Sequence, residues 1–172
     1  MKRIYMDNAA TTRVTEPVFE AMRPYFCEIF GNPSSVHAFG REARKAVEQA
    51  RRQVAAALGA QAGEIYFTGS GTEADNWALR GAAYAQKARG RHIITTQIEH
   101  HAVLHAAEQL EKEGFEVTYL PVDGDGVVSL EALEKALRPD TTLVSIMAAN
   151  NEIGAIQPIR EAAKLAKAHG AL

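Results

Sequence analysis

From residue 64 onward the chain alternates short β-rich runs with amphipathic stretches, and this alternation constrains the fold more than any other feature. Glu64-Ile65-Tyr66-Phe67-Thr68 reads as a strand, Gly69-Ser70-Gly71-Thr72 as a glycine turn, and Glu73 to about Ala88 as a helix. The order then repeats. His92–Thr96 is a strand, Ala102–Lys112 a helix closed by Gly114, and Glu116–Leu120 a strand. Asp123-Gly124-Asp125-Gly126 is a turn, Ser129 caps a helix running to Leu137, Thr142–Met147 is a strand, and Pro158 opens a helix ended by Gly170. Strands that alternate with helices predict an α/β fold with a mostly parallel sheet flanked by helices.

Upstream, Arg41–Leu58 places Ala43, Val47, Ala50, Val54 and Leu58 at helical spacing, with Arg and Glu opposite and Gly59 as a stop. The first forty residues differ. Asn8-Ala9-Ala10-Thr11-Thr12 and Gly31-Asn32-Pro33-Ser34-Ser35 are turn-forming, and they flank a helix expected over Pro17–Phe26. This divides the chain into an amino-terminal arm, residues 1–40, and an α/β body, residues 41–172. Ala171-Leu172 follow Gly170 where such a body would start its next strand, so a truncated domain is expected.

With 47% hydrophobic residues in 172, one moderate core is available. A net charge of -2 supplies no positive field for nucleic acid or anionic lipid. The start, Met1 to Asp7, meets an acid before any apolar leader segment forms, and no apolar run approaches the ~18 to 20 residues that cross a bilayer. A single cysteine makes no internal disulfide, so a cytoplasmic protein is expected. Cys27, between Phe26 and Glu28 and close to Ile29, reads as a small buried hydrophobe rather than a nucleophile.

Three polar loops follow strand runs, and in a parallel sheet such loops open on one rim. Gly69-Ser70-Gly71-Thr72-Glu73 precedes a helix, whose free N–H groups and dipole favour an anion such as phosphate. The alternative is a structural turn with Thr72 as the helix cap. The same residues satisfy a dinucleotide pattern, Gly69-x-Gly71-x-x-Ala74, but the supporting acid expected ~20 residues further on falls in the basic stretch Lys87–Arg91. Gln97-Ile98-Glu99-His100-His101 offers a histidine able to stack on a flat cofactor and exchange protons, or only a solvated pair at a helix start. Metal is not expected, because adjacent histidines seldom converge on one ion and no third ligand lies at ligand spacing. Asn150-Asn151-Glu152-Ile153-Gly154 supplies amides that can bond a ring hydroxyl without adding charge, or a plain turn.

Five ordered motifs carry a family resemblance: Tyr5-Met6-Asp7-Asn8-Ala9-Ala10-Thr11-Thr12, Gly31-Asn32-Pro33-Ser34-Ser35-x-His37, Phe67 to Asn76, Glu99-His100-x-Ala102-Val103-Leu104 and Asn150 to Gly154. In order and approximate spacing they resemble the NifS/IscS-like cysteine desulfurases of the class V aminotransferase superfamily, with the fold of type I pyridoxal-phosphate enzymes. The resemblance implies a partial large domain, residues 41–172, and a 1–40 arm belonging to the small domain. It implies the cofactor pyridoxal 5'-phosphate (PLP) and the conversion of L-cysteine to L-alanine, with persulfide sulfur delivered to an acceptor or scaffold protein for iron–sulfur clusters or other products. Carried over by motif, Gly71 and Thr72 would bind the phosphate, His100 would lie on the pyridine ring and pass protons, and Asn151 would bond the 3-hydroxyl. Asn8, Ala9 and Ala10 would border the substrate pocket. A homodimer is implied, as is a sheet order 3-2-4-5-6-7-1 in which residues 64–68 form strand 1 and residues 142–147 form strand 4.

The family's pyridine-binding aspartate, Schiff-base lysine, carboxylate-binding arginine and persulfide cysteine match nothing here; Lys164 and Lys167 lack the lysine motif. The remainder of the same polypeptide is therefore an expected partner, and this stretch alone is expected to be inactive. A non-catalytic scaffold of the same fold, a selenocysteine lyase and a dinucleotide enzyme are the alternatives.

Overall fold

A computed structural model describes residues 3–172. Met1 and Lys2, read above for a leader signal, lie outside the described residues. Contacts divide the chain into two compact units, up to Phe67 and from Thr68 onward.

In the first unit the expected helix over Pro17–Phe26 is two helices, α1 (Glu16–Met22) and α2 (Pro24–Cys27). Pro24 has no N–H to continue the first, so a new helix begins at its ring. The long helix α3 runs Ala38–Leu58 and stops at Gly59, whose φ of 66° is the left-handed conformation that glycine adopts freely. Its start is built by the Gly31–His37 motif. The His37 ring accepts the Gly40 N–H at 3.4 Å, Arg41 Nη1 donates to Val36 O at 2.6 Å, and Asn32 Oδ1 accepts the Ser34 N–H at 2.9 Å. A Cβ on Gly40 would collide with the backbone carbonyls of Ser35 and Asn32. Loop and helix start therefore form one close-packed corner.

Two expectations fail in this unit. Residues 64–68 are not a strand: a 3-10 turn occupies Ala62–Glu64, and Ile65 is extended but residues 65–68 join no ladder. Extended backbone becomes a strand only when a neighbour takes its hydrogen bonds, and here Ile65 O is taken by the Arg51 guanidinium instead. Cys27 is exposed rather than buried, because α2 has no buried residue.

The second unit carries α4 (Gly71–Gln86), β1 (His92–Thr96), α5 (His101–Lys112), β2 (Glu116–Leu120), α6 (Leu130–Ala136), β3 (Thr141–Val144) and α7 (Ile159–Ala168). The strands form a parallel sheet in the order β2-β1-β3. This is the 3-2-4 portion of the order expected above. The Leu172 N–H and C=O pair with Thr142 O and Val144 N–H on the outer edge of β3.

β1 is central and buried along its whole length, and successive side chains leave it on opposite faces. Ile93 packs with Leu79 and Ala83 of α4 and Val103, Ala106 and Leu110 of α5. Ile94 packs on the other face with Leu120, Val128, Leu133 and Ala162. His92, 1% exposed, joins all three strands: its Nδ1 lies 2.7 Å from Thr141 Oγ1 and its Nε2 lies 2.8 Å from Thr118 Oγ1. Removal from water holds its pKa below the usual histidine value, with the Arg138 charge adding to the effect.

Candidate functional site

The start of α4 is capped by Ser70, not by Thr72. Ser70 Oγ accepts the Glu73 N–H at 3.2 Å, and the Glu73 carboxylate reaches back to the Gly69 N–H at 2.7 Å. This reciprocal cap leaves Gly71 and Thr72 as the first two residues of a 16-residue helix, where backbone N–H groups have no intrahelical acceptor. Both are exposed, and a Cβ on Gly71 would meet nothing within 4 Å. The place has the open backbone donors and the dipole that a phosphate needs.

The second loop leaves β1 and runs into α5. His100 is the cap of α5: its Nδ1 accepts the Ala102 N–H at 3.1 Å, so in the neutral ring the proton sits on Nε2. The ring is exposed. Asn76 of α4 donates to Ala102 O at 3.3 Å, which ties the first turns of α4 to the start of α5. Thr72 and His100 thus stand on neighbouring helix ends above the same sheet edge.

The third loop follows β3. Asn150 N–H donates to Ala155 O and Gly154 N–H to Asn150 O, each at 2.9 Å, closing a tight turn in which Gly154 takes a φ of 74°. Asn151 sits exposed on this turn, its amide donating to Glu152 Oε1 at 3.1 Å. The turn is held to the second loop, since Asn150 Nδ2 donates to Ile98 O at 2.9 Å. The Asn76–Ala102 and Asn150–Ile98 bonds thus link the loops that carry Gly71 and Thr72, His100 and Asn151 at the carboxyl end of the sheet. Asn8, Ala9 and Ala10 belong to the first unit, in an exposed loop stapled by the Tyr5 hydroxyl, which donates to Asp7 O at 2.7 Å and Thr11 O at 2.9 Å. Lys164 and Lys167 are exposed on α7.

Glu99 is the residue that sequence reasoning passed over. It is only 7% exposed, and its Oε1 accepts both the Thr96 hydroxyl and the Met147 N–H at 2.9 Å. Burial pushes its carboxyl above the usual glutamate value, and these two hydrogen bonds offset part of that rise. Its sequence signal was its place at the head of the Glu99-His100-x-Ala102 motif, which assigned it no role.

The profile of the class-V aminotransferases matches residues 4–172. The chain belongs to the aminotransferase class-V family. Several proteins similar to it are called cysteine desulfurases. It is 58% identical over 96% of its length to the cysteine desulfurase IscS of Methanosarcina thermophila, and 57% identical over 99% to the putative cysteine desulfurase IscS 1 of Bacillus subtilis (strain 168). It spans 41% and 45% of those relatives, so less than half of each. Among solved structures, a NifS-like protein superposes with a TM-score of 0.94 at 49% identity, covering 98% of this chain and 46% of that one. A second, described as SspA in complex with cysteine, gives 0.92 at 40% identity, covering 97% and 48%. Family membership removes the dinucleotide reading.

Proposed function

We propose that this chain is the amino-terminal part of a PLP-dependent cysteine desulfurase that releases L-alanine from L-cysteine and passes the sulfur on as a persulfide. The observation that carries the proposal is the convergence of Gly71 and Thr72, His100 and Asn151 on one sheet edge. These donors fit the cofactor: open backbone N–H groups for a phosphate, an exposed ring for stacking, and a neutral amide for a phenolic hydroxyl. When bound, PLP supplies the electron sink for bond cleavage next to the substrate amino group. The protein's own part is binding, orientation and proton handling. Gly71 and Thr72 would hold the phosphate, Asn151 would bond the 3-hydroxyl, and His100 would stack on the ring and move a proton at Nε2 while Nδ1 stays committed to the Ala102 N–H. Asn8, Ala9 and Ala10 border the substrate. The lysine, aspartate, arginine and cysteine of the chemistry come from the rest of the polypeptide; the arm 1–40 is part of a small domain and 41–172 the first part of the large one. The whole protein is a cytoplasmic homodimer that serves a sulfur acceptor.

In support, no described helix is long and apolar enough to cross a membrane, and the relatives named above are themselves called desulfurases.

The test is made on the full-length polypeptide. Thr72→Val raises the PLP dissociation constant, whereas His100→Ala leaves cofactor retention largely intact and slows alanine formation by about 10² to 10⁴-fold, the usual worth of a positioned acid or base. An unaltered rate after removal of the His100 ring would overturn the assignment. The 172-residue chain by itself yields no alanine or sulfide from cysteine, because it offers no lysine in the required context.

A further inference from the structure

In each of two loops at the site, an exposed candidate ligand follows a buried polar residue. Glu99 precedes His100, and Asn150 precedes Asn151; the first member of each pair is 7% exposed. The buried members cross-link the loops in opposite directions. Glu99, on the loop after β1, accepts the Met147 N–H of the loop after β3, while Asn150 reaches back to Ile98 O. One such bond would act as a hinge. Two, spaced along both backbones, resist rotation of one loop against the other. Each brace is also anchored at home: Glu99 by the Thr96 hydroxyl at 2.9 Å, and Asn150 Oδ1 by the Glu152 and Ile153 N–H groups at 2.9 and 3.0 Å.

The geometry points to Glu99 and Asn150 as positioning residues, a reciprocal brace that sets the separation and orientation of the His100 ring and the Asn151 amide for a flat, hydroxyl-bearing aromatic cofactor. The inference rests on the PLP reading for the ligand, but not for the brace. The brace needs only an acceptor oxygen at position 99, which a carboxylate or an amide can supply, so its positioning role is separable from the charge.

The experiment uses the full-length polypeptide and reads three quantities: amide hydrogen exchange in residues 145–154, the PLP dissociation constant, and the induced circular dichroism of bound PLP, which reports ring orientation. Glu99→Ala and Asn150→Ala each speed exchange in 145–154, raise the PLP dissociation constant roughly tenfold and change the induced signal of the bound fraction. Glu99→Gln, whose amide oxygen can still accept from Met147, restores PLP binding and denatures no more easily than wild type at pH 7. The double alanine variant binds little worse than the weaker single variant, because either loss already opens the brace. Unchanged exchange in Glu99→Ala overturns the brace, whatever the cofactor. Faster exchange with wild-type PLP affinity and induced signal overturns its positioning role. Absence of PLP binding by the wild-type polypeptide overturns the cofactor reading and with it the ligand named here, and hydrogen exchange still decides the brace.

Discussion

α5 and α3 are both amphipathic helices, and they bury their apolar faces to very different extents. In α5, of the second unit, Ala102, Val103, Ala106, Ala107 and Leu110 are all buried. In α3, of the first, the buried residues are Gly40, Ala43 and Ala55, while Val47, Val54 and Leu58 stay 36%, 37% and 70% exposed. The lesson is that helical spacing tells which face is apolar but not whether anything covers it. In the second unit the sheet provides the cover, one core on each side of β1. α1 and α2 have no buried residue at all, and Phe19, Tyr25 and Phe26 remain largely exposed. Stability should follow this division, since only apolar area removed from water contributes.

The largest effect separates two leucines at helix positions of similar chemistry. Leu110→Ala, at a site with no exposure, should cost about 3 kcal/mol or more, the usual range for a core leucine. Leu58→Ala should cost no more than about 0.5 kcal/mol. Urea unfolding of the 172-residue chain, followed by Trp77 fluorescence and by far-ultraviolet circular dichroism, measures both. Equal costs would break the comparison.

A second pair sharpens it, because the first unit is not loosely built throughout. Gly40→Ala should destabilise by about 1 to 3 kcal/mol, as its Cβ must displace the backbone of the 31–37 loop. Gly63→Ala meets nothing within 4 Å and should be neutral or slightly stabilising. Thermal denaturation monitored by circular dichroism ranks them. If both are neutral, the corner of Gly31 to Gly40 is not the organised part of this unit.

The smallest effect is one of pH and belongs to the second unit. The folded-state pKa of His92 lies below its ordinary 6.5, so the unfolded chain binds the proton more readily. Its contribution to stability is present above 6.5 and is lost as pH falls from there through the lowered value. His92→Gln should therefore show a shallower fall in unfolding free energy between pH 6.5 and 5 than wild type, whatever its absolute stability. A parallel pair of curves would show that the Thr118–His92–Thr141 bridge does not sense the proton.

Much of the fold was legible in the residues, and the illegible parts share a cause. The strands His92–Thr96 and Glu116–Leu120 appear with the bounds expected of them, and Ser129, Gly59, Gly114 and Gly170 end or begin helices where their chemistry places them. The loops that carry His100 and Asn151 could be placed on one rim because parallel strands send their carboxyl ends the same way, whereas the Thr72 loop follows no strand and is tied there by the Asn76 to Ala102 bond. What could not be read was Glu99: an acid after a strand looks solvated until Met147, 48 residues away, is known to lie above it. The same holds for Cys27, where an apolar neighbourhood in sequence did not become one in space.

By itself the sequence determined the features that close within a few residues. Caps, glycine stops and i to i+4 helical bonds are satisfied locally, so residue type and spacing suffice to specify them. Tertiary structure alone decided whether extended backbone became a strand and whether a polar side chain became a brace. Residues 65–68 and 92–96 are both β-prone runs, yet only the second forms a ladder, because β2 and β3 flank it. Glu99 and Asn150 are braces only because two loops about fifty residues apart meet, Ile98 and Asn150 being 52 residues apart in sequence. A hydrogen bond of that kind has no local signature, since its second partner is supplied by the fold.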